Sequence, residues 1–423
     1  MKSRRIESLS ALEILDSRGR PTIQAFCSLS SGAGAAASVP SGVSKGAAEA
    51  QELRDGDATR YSGLGCRRAV ASVEGEIASA VVGRPWPSPR ELDTALNELD
   101  GTATKSRLGA NAILAVSLAF ARAAAIEVGT PLYHYLAQLA GTEPAIPRPL
   151  INLFSGGAHA GGQVGVQDVQ LLIKAATSID ETLAAFADIY REAAELVRQR
   201  FGMRLLRADE GGLAPPFQNS EQMLSIASEC IERAERRPHE DVVLAVDVAA
   251  SQLVSADGYE LDGHRVDLLD VTSRWLREYP IASIEDPLAD EDWDGWSALM
   301  DRASNALVIG DDLLCTQVAR IRRAQELKCA NALLLKPNQV GTLSEALDAL
   351  LAAREEGWAV VVSARSGDTE DDWLADLAVG WAAEHVKIGS ITQSERLAKY
   401  NRLLAIERDF ARPTHRRRRS LRR

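Results

Sequence analysis

Six short apolar runs, each ending on a charged residue, constrain this chain more than any other feature. They are Val242-Val-Leu-Ala-Val-Asp247, Ala282-Ser-Ile-Glu285, Ala306-Leu-Val-Ile-Gly-Asp311, Ala332-Leu-Leu-Leu-Lys336, Ala359-Val-Val-Val-Ser-Ala-Arg365 and His385-Val-Lys387. Runs of this length and composition read as strands. Their charged ends stand 38, 26, 25, 29 and 22 residues apart, and each interval leaves room for a loop, a helix and the next strand. That is the rhythm of repeated βα units around a parallel sheet. An open doubly wound sheet shares it. Six successive charged ends converging on one point suit a closed (β/α) barrel better, because such barrels carry functional side chains at the C-terminal ends of their strands.

Upstream of residue 148 the pattern differs. The first 30 or so residues alternate like strands, with turn chemistry at Asp16-Ser-Arg-Gly-Arg-Pro21 and Ser31-Gly-Ala-Gly34, and helical periodicity runs from about Gly46 to Leu136. The breakers in Ala140-Gly-Thr-Glu-Pro-Ala-Ile-Pro147 mark a boundary. The expected division is an α+β domain over 1–140, an α/β domain over 141–410 and a basic tail over 411–423. The tail, Arg412-Pro-Thr-His-Arg-Arg-Arg-Arg-Ser-Leu-Arg-Arg423, has charge without apolar periodicity and reads as a solvated extension, with binding to RNA or an acidic surface as the functional alternative.

Composition closes other routes. With 59 acidic against 48 basic side chains the formal charge is −11, which argues against nucleic acid as a partner except through the tail. The most apolar stretch, Leu108 to Val128, is interrupted by Asn111, Ser117, Arg122 and Glu127 and reads as a buried helix, so no membrane span is expected. Basic residues at the N-terminus have no apolar region behind them, which predicts no secretory signal and a cytoplasmic location. Cys27, Cys66, Cys230, Cys315 and Cys329 are scattered without a C-x-x-C pair and read as small buried hydrophobes.

Asp247, Glu285 and Asp311 end three successive strands. Three carboxylates brought together raise one another's pKa values unless a cation lies among them. Oxygen-only donors suit Mg²⁺, whereas zinc would call for His or Cys that these ends lack. Lys336, Arg365 and Lys387 end the next three strands. A rim anionic on one side and cationic on the other fits a metal-bound, multiply charged anion. Singly, each residue has a plain explanation as a helix cap or a solvated charge; six in strand order do not.

The segments around these ends resemble the enolase family, the magnesium-dependent phosphopyruvate hydratases. They are Glu13-Ile-Leu-Asp-Ser-Arg-Gly19, Pro40-Ser-Gly-Val-Ser44, Asp209-Glu-Gly-Gly212, Ser283-Ile-Glu-Asp-Pro287, Gly310-Asp-Asp-Leu313, Leu335-Lys-Pro-Asn-Gln339 and Ala398-Lys-Tyr-Asn401, collinear from about residue 6 to residue 408. The resemblance implies a modified (β/α)8 TIM-type barrel with an N-terminal α+β capping domain, a homodimer and two Mg²⁺ ions per active site. It implies Asp247, Glu285 and Asp311 as ligands of the first ion and Ser44 as a ligand of the second. Lys336 matches the base that takes the α-proton, and Glu210 the acid that assists departure of the β-hydroxyl. Arg365 with Ser366 resembles the phosphate clamp, and Lys387 the residue facing the substrate carboxylate. Ser155-Gly-Gly-Ala-His-Ala160 resembles a mobile lid carrying His159, and Gln167-Asp168 stands where the family has Gln-Glu beside the acid. Removing a proton α to a carboxylate creates a dianionic ene-diolate that preorganised cations stabilise, a chemistry that enolase-superfamily sites themselves exemplify. Lys336 must be neutral to act, and Mg²⁺, Lys387 and Arg365 are expected to favour that form.

Three positions depart from the family: Ala364 replaces the histidine of Ser-His-Arg-Ser, Asp168 shortens the glutamate, and Lys45 replaces a threonine. Decay of activity is one account, since losing one transition-state donor costs roughly 10² to 10³ in rate. The intact base, acid, ligands and arginine point instead to an altered substrate, because a lost imidazole and a withdrawn carboxylate leave room and an added lysine supplies charge. Two enzymatic readings follow: conversion of 2-phosphoglycerate to phosphoenolpyruvate, or an enolase-like biosynthetic step on a related phosphorylated or phosphonate acid, as in the formation of carboxyphosphonoenolpyruvate. A non-enzymatic scaffold is the third, and the intact ligands speak against it.

Overall fold

A computed structural model describes residues 4–42, 46–202, 204–303 and 305–411; Ser44, Lys45 and the arginine-rich tail lie outside them. Eight strands close into a barrel in the order Ile281–Glu285, Leu307–Gly310, Ala332–Leu335, Ala359–Ser363, His385–Gly389, Arg148–Ser155, Asp168–Ile173 and Val242–Asp247. The closed barrel is the expected architecture and not the open sheet. All neighbours run parallel except Asp168–Ile173, which is antiparallel to both Arg148–Ser155 and Val242–Asp247. Leu150, Ala245, Ile309, Ala332, Leu334 and Val361 fill the inside, so the barrel is a packed plug that supports side chains at its rim.

The six runs supply six of the eight strands. Arg148–Ser155 ends on an uncharged serine, and the reversed Asp168–Ile173 carries its charged residue at its start. Reversal is what brings Asp168 to the same rim as Asp247, its register partner. The helices between strands begin where side chains can cap them: Ser178, Asn219, Asp267, Asp292 and Thr342 each accept a backbone N–H three residues on.

Ahead of the barrel, Arg4–Leu15, Pro21–Leu29 and Gly34–Ser38 form an antiparallel meander joined by the two expected turns. Helix Ala110–Glu127 packs on its second and third strands, and 83% of that helix is buried. All five cysteines are free and buried. The periodicity from Gly46 is corrected by the structure: among the described residues no α-helix starts before Arg67. Helix-favouring residues there are recruited to other partners, Ala50 N donating to Gln339 O at 2.8 Å and Gln51 N to Thr104 O at 2.7 Å, so tertiary contacts override propensity. The N-terminal helices meet the barrel just beyond Lys336. Asp93 Oδ2 accepts from Ser344 N and Oγ at 2.9 and 2.5 Å, Ser117 Oγ accepts from Leu343 N at 3.1 Å, and Lys105 Nζ bonds Glu345 at 2.8 Å.

Candidate active site

The barrel rim and two loops bring His159, Gln167, Glu210, Asp247, Asp311, Lys336, Ala364, Arg365, Ser366 and Lys387 around one cavity. Asp311, Lys336 and Arg365 follow strands that end one or two residues earlier, whereas Asp247 is the last residue of its strand and Lys387 lies within His385–Gly389. Glu285 sits behind Lys387, and Asp168 behind His159. Ser44, expected to hold a second ion, lies outside the described residues.

The chain's own lysines neutralise the acidic side. Lys387 Nζ bonds Asp247 Oδ2 at 2.8 Å and both oxygens of Glu285, at 2.8 and 2.7 Å. Lys336 Nζ donates to Asp311 Oδ2. Burial works to discharge Lys387, but Asp247 and Glu285 outweigh it and hold the ammonium well above its usual range. Burial, then the Asp247 charge, pushes Glu285 up to about 8 despite Lys387. At Glu285 burial contributes most, and the Asp247 charge more than offsets Lys387. Lys336 departs from the sequence expectation in this state. Burial favours its neutral form, as do Arg365 and Lys387 as anticipated, yet Asp311, joined by Glu285, overrides them and raises it above the ordinary lysine value.

On the opposite side His159 Nδ1 lies 2.8 Å from Asp168 Oδ2, and Ser155 Oγ donates to Asp168 Oδ1 at 2.5 Å. Both carboxylate oxygens are thus engaged away from the cavity. Burial pulls His159 down, but Asp168 and Glu210 more than reverse it, leaving the imidazole at about 9 and charged at neutral pH. Glu210 accepts from Asn152 Nδ2 at 3.1 Å. Burial would raise it, and His159, Arg396 and Lys387 together hold it below the ordinary value, as a carboxylate.

Sequence reasoning missed the residues that orient these groups. Gln252 donates to Gln167, which donates to Asp247, both at 3.1 Å. Asp286 accepts the backbone N–H groups of Asp311 and Asp312 at 2.9 and 2.8 Å, fixing the turn that aims Asp311. Gln339 donates to Asp311 Oδ1 at 2.8 Å, and Glu49 pairs with Arg365. Asp286 and Gln339 stood inside quoted motifs without a role; Glu49 had no local signal.

Among the described residues, His159, Asp168 and Glu210, and separately Asp286, Asp311 and Asp312, form groups whose ligand atoms all lie within 4.8 Å of one another. Asp247 and Glu285 instead share Lys387. The donors at the acidic rim are all oxygens, they are buried, and Asp247 and Glu285 converge on the single Lys387 ammonium, so these residues fit a hard divalent cation.

A closed barrel with one reversed strand and a buried rim of carboxylates facing two lysines and an arginine defines a barrel enzyme for a multiply charged anion. Family models described as the enolase N-terminal domain and the enolase C-terminal TIM barrel domain match residues 6–136 and 143–421. A protein of Methanopyrus kandleri strain AV19 described as "Enolase" is 44% identical over 414 residues, covering 96% of each chain. The chain belongs to the enolase family. It is an enolase-type carbon–oxygen lyase.

Proposed function

We propose that the enzyme is Mg²⁺-dependent and interconverts 2-phosphoglycerate and phosphoenolpyruvate, with residues 141–410 carrying the site and residues 1–140 capping it. The observation that carries this reading is the buried carboxylate rim bridged by Lys387 and Lys336 beside Arg365. Asp247, Glu285 and Asp311 would hold the first ion and Ser44 the second. Bound Mg²⁺ would supply fixed positive charge where negative charge develops on the substrate carboxylate. Arg365 and Ser366 bind the phosphate, and Lys387 faces the carboxylate. Lys336 takes the α-proton at Nζ once Asp311 no longer holds it charged, because Arg365 and Lys387 then favour the free amine. Glu210 must gain a proton before it can give one to the departing hydroxyl, and the charged His159, with a ligand atom within 4.8 Å of it, is a source. The exposed Leu12 and Phe26 on the N-terminal sheet favour the family's homodimer. The cytoplasmic location is carried over from the sequence.

A second reading, action on a larger phosphorylated or phosphonate acid, is favoured by Ala364. Its methyl group forms cavity wall where the family places histidine. Phosphoenolpyruvate formation from 2-phosphoglycerate with Mg²⁺, in wild type and Ala364→His, separates the two. Turnover at ordinary enzymatic rates by wild type supports the first reading. An inert wild type with turnover restored in Ala364→His supports the second.

A further inference from the structure

Glu49 has no part in the reading above, yet it is bonded to the cavity-lining Arg365. Its two carboxylate oxygens meet both terminal nitrogens of Arg365, Nη1 donating to Oε2 at 3.0 Å and Nη2 to Oε1 at 3.1 Å. Asn338 Oδ1 also accepts from Nη1, at 3.2 Å. Glu49 is 8% and Arg365 4% exposed, so this is a desolvated bidentate pair and not a surface ion pair. Glu49 is held in turn: Gly46 N donates to its Oε1 at 3.2 Å, and the next residue, Ala50, donates its N–H to Gln339 O at 2.8 Å. Gln339 Nε2 lies 3.5 Å from Glu49 Oε1 and donates to Asp311 Oδ1 at 2.8 Å. A Cβ at Gly42 would stand 1.9 Å from Nη2 and 2.5 Å from Cζ, so a side chain there would displace the guanidinium from this position.

An arginine on a flexible stem recognises phosphate bidentately only when the plane of its fork is fixed. We infer that Glu49 is a positioning residue for the anion-binding arginine, setting the plane of Arg365 before the anion arrives and registering it, through Gln339, against Asp311. The inference rests on Arg365 being the phosphate clamp. A carboxylate here could instead be a plain counter-charge, and the two roles have opposite signatures. A counter-charge competes with the incoming anion, so its removal tightens binding. A positioning group, once removed, leaves binding weaker.

Calorimetric titration of the full chain with inorganic phosphate in Mg²⁺ buffer distinguishes them, alongside kinetics on 2-phosphoglycerate. Glu49→Gln is expected to weaken phosphate binding about tenfold or more and to raise KM in step, with kcat changed far less. Glu49→Asp, which keeps the charge, should recover part of the loss. Phosphate binding by Glu49→Gln equal to or tighter than wild type overturns the inference. If Glu49→Gln fails to fold, wild-type phosphate affinity in Glu49→Asp overturns it equally. Arg365→Lys separates the inference from its foundation. Unchanged phosphate binding there removes the clamp assignment, whereas a loss there with an undisturbed Glu49→Gln removes only the role of Glu49.

Discussion

At the scale of single residues, the sequence disclosed which charges crowd the rim and not how they pair. Strand-end position made Asp247, Glu285, Asp311, Lys336, Arg365 and Lys387 visible as a ring. That Lys387 would bond Asp247 and Glu285, and Lys336 would be held charged by Asp311, depends on side-chain reach across the barrel, which spacing does not encode. The shortened Asp168 is similar. Its change from the family pattern was legible, but its engagement with Ser155 and His159 was not. A pH effect follows. His159 lies at about 9 in the fold against an ordinary 6.5, so its contribution to stability is fully present below about pH 6.5 and is lost as pH rises through about 9. Asp168→Asn removes the main group raising it. Thermal unfolding from about pH 6 to pH 10 should show a deficit in Asp168→Asn that is largest near pH 6 and shrinks toward pH 10. A deficit constant over that range would contradict the pairing.

Whole elements were legible where chemistry and periodicity agreed. Six barrel strands announced themselves by apolar runs with charged ends, while Arg148–Ser155 and the reversed Asp168–Ile173 lacked that mark. The stretch after Gly46 has a helical composition but is drawn out along the barrel rim by contacts with residues far along the chain, such as Gln339 and Arg365. Element-to-element docking was likewise silent in the sequence. Asp93 reaches from helix Pro89–Asp100 to the first turn of helix Leu343–Glu355, where it accepts both Ser344 N and Ser344 Oγ. Asp93→Ala leaves two buried donors without that acceptor and should cost about 1–3 kcal/mol in urea unfolding, with the slope unchanged. A loss under about 0.5 kcal/mol would show that the docking does not depend on this contact.

For the molecule as a whole, the barrel brings together rim residues separated by much of the chain, and the N-terminal part braces one of them: Glu49 pairs with Arg365, 316 positions away. Closure of the sheet was readable because six charged ends need one meeting point; the reach of the N-terminal segment into that point was not, because a loop carries no period. The whole arrangement is proposed to let Lys336 remove the α-proton of a phosphorylated acid. The most direct measurement is exchange of the α-hydrogen of 2-phosphoglycerate with deuterated solvent, with Mg²⁺ present, in wild type and Lys336→Ala. The expected result is exchange by wild type and a loss of roughly 10²-fold or more in Lys336→Ala. Exchange by Lys336→Ala at the wild-type rate, or none by wild type itself, would contradict it.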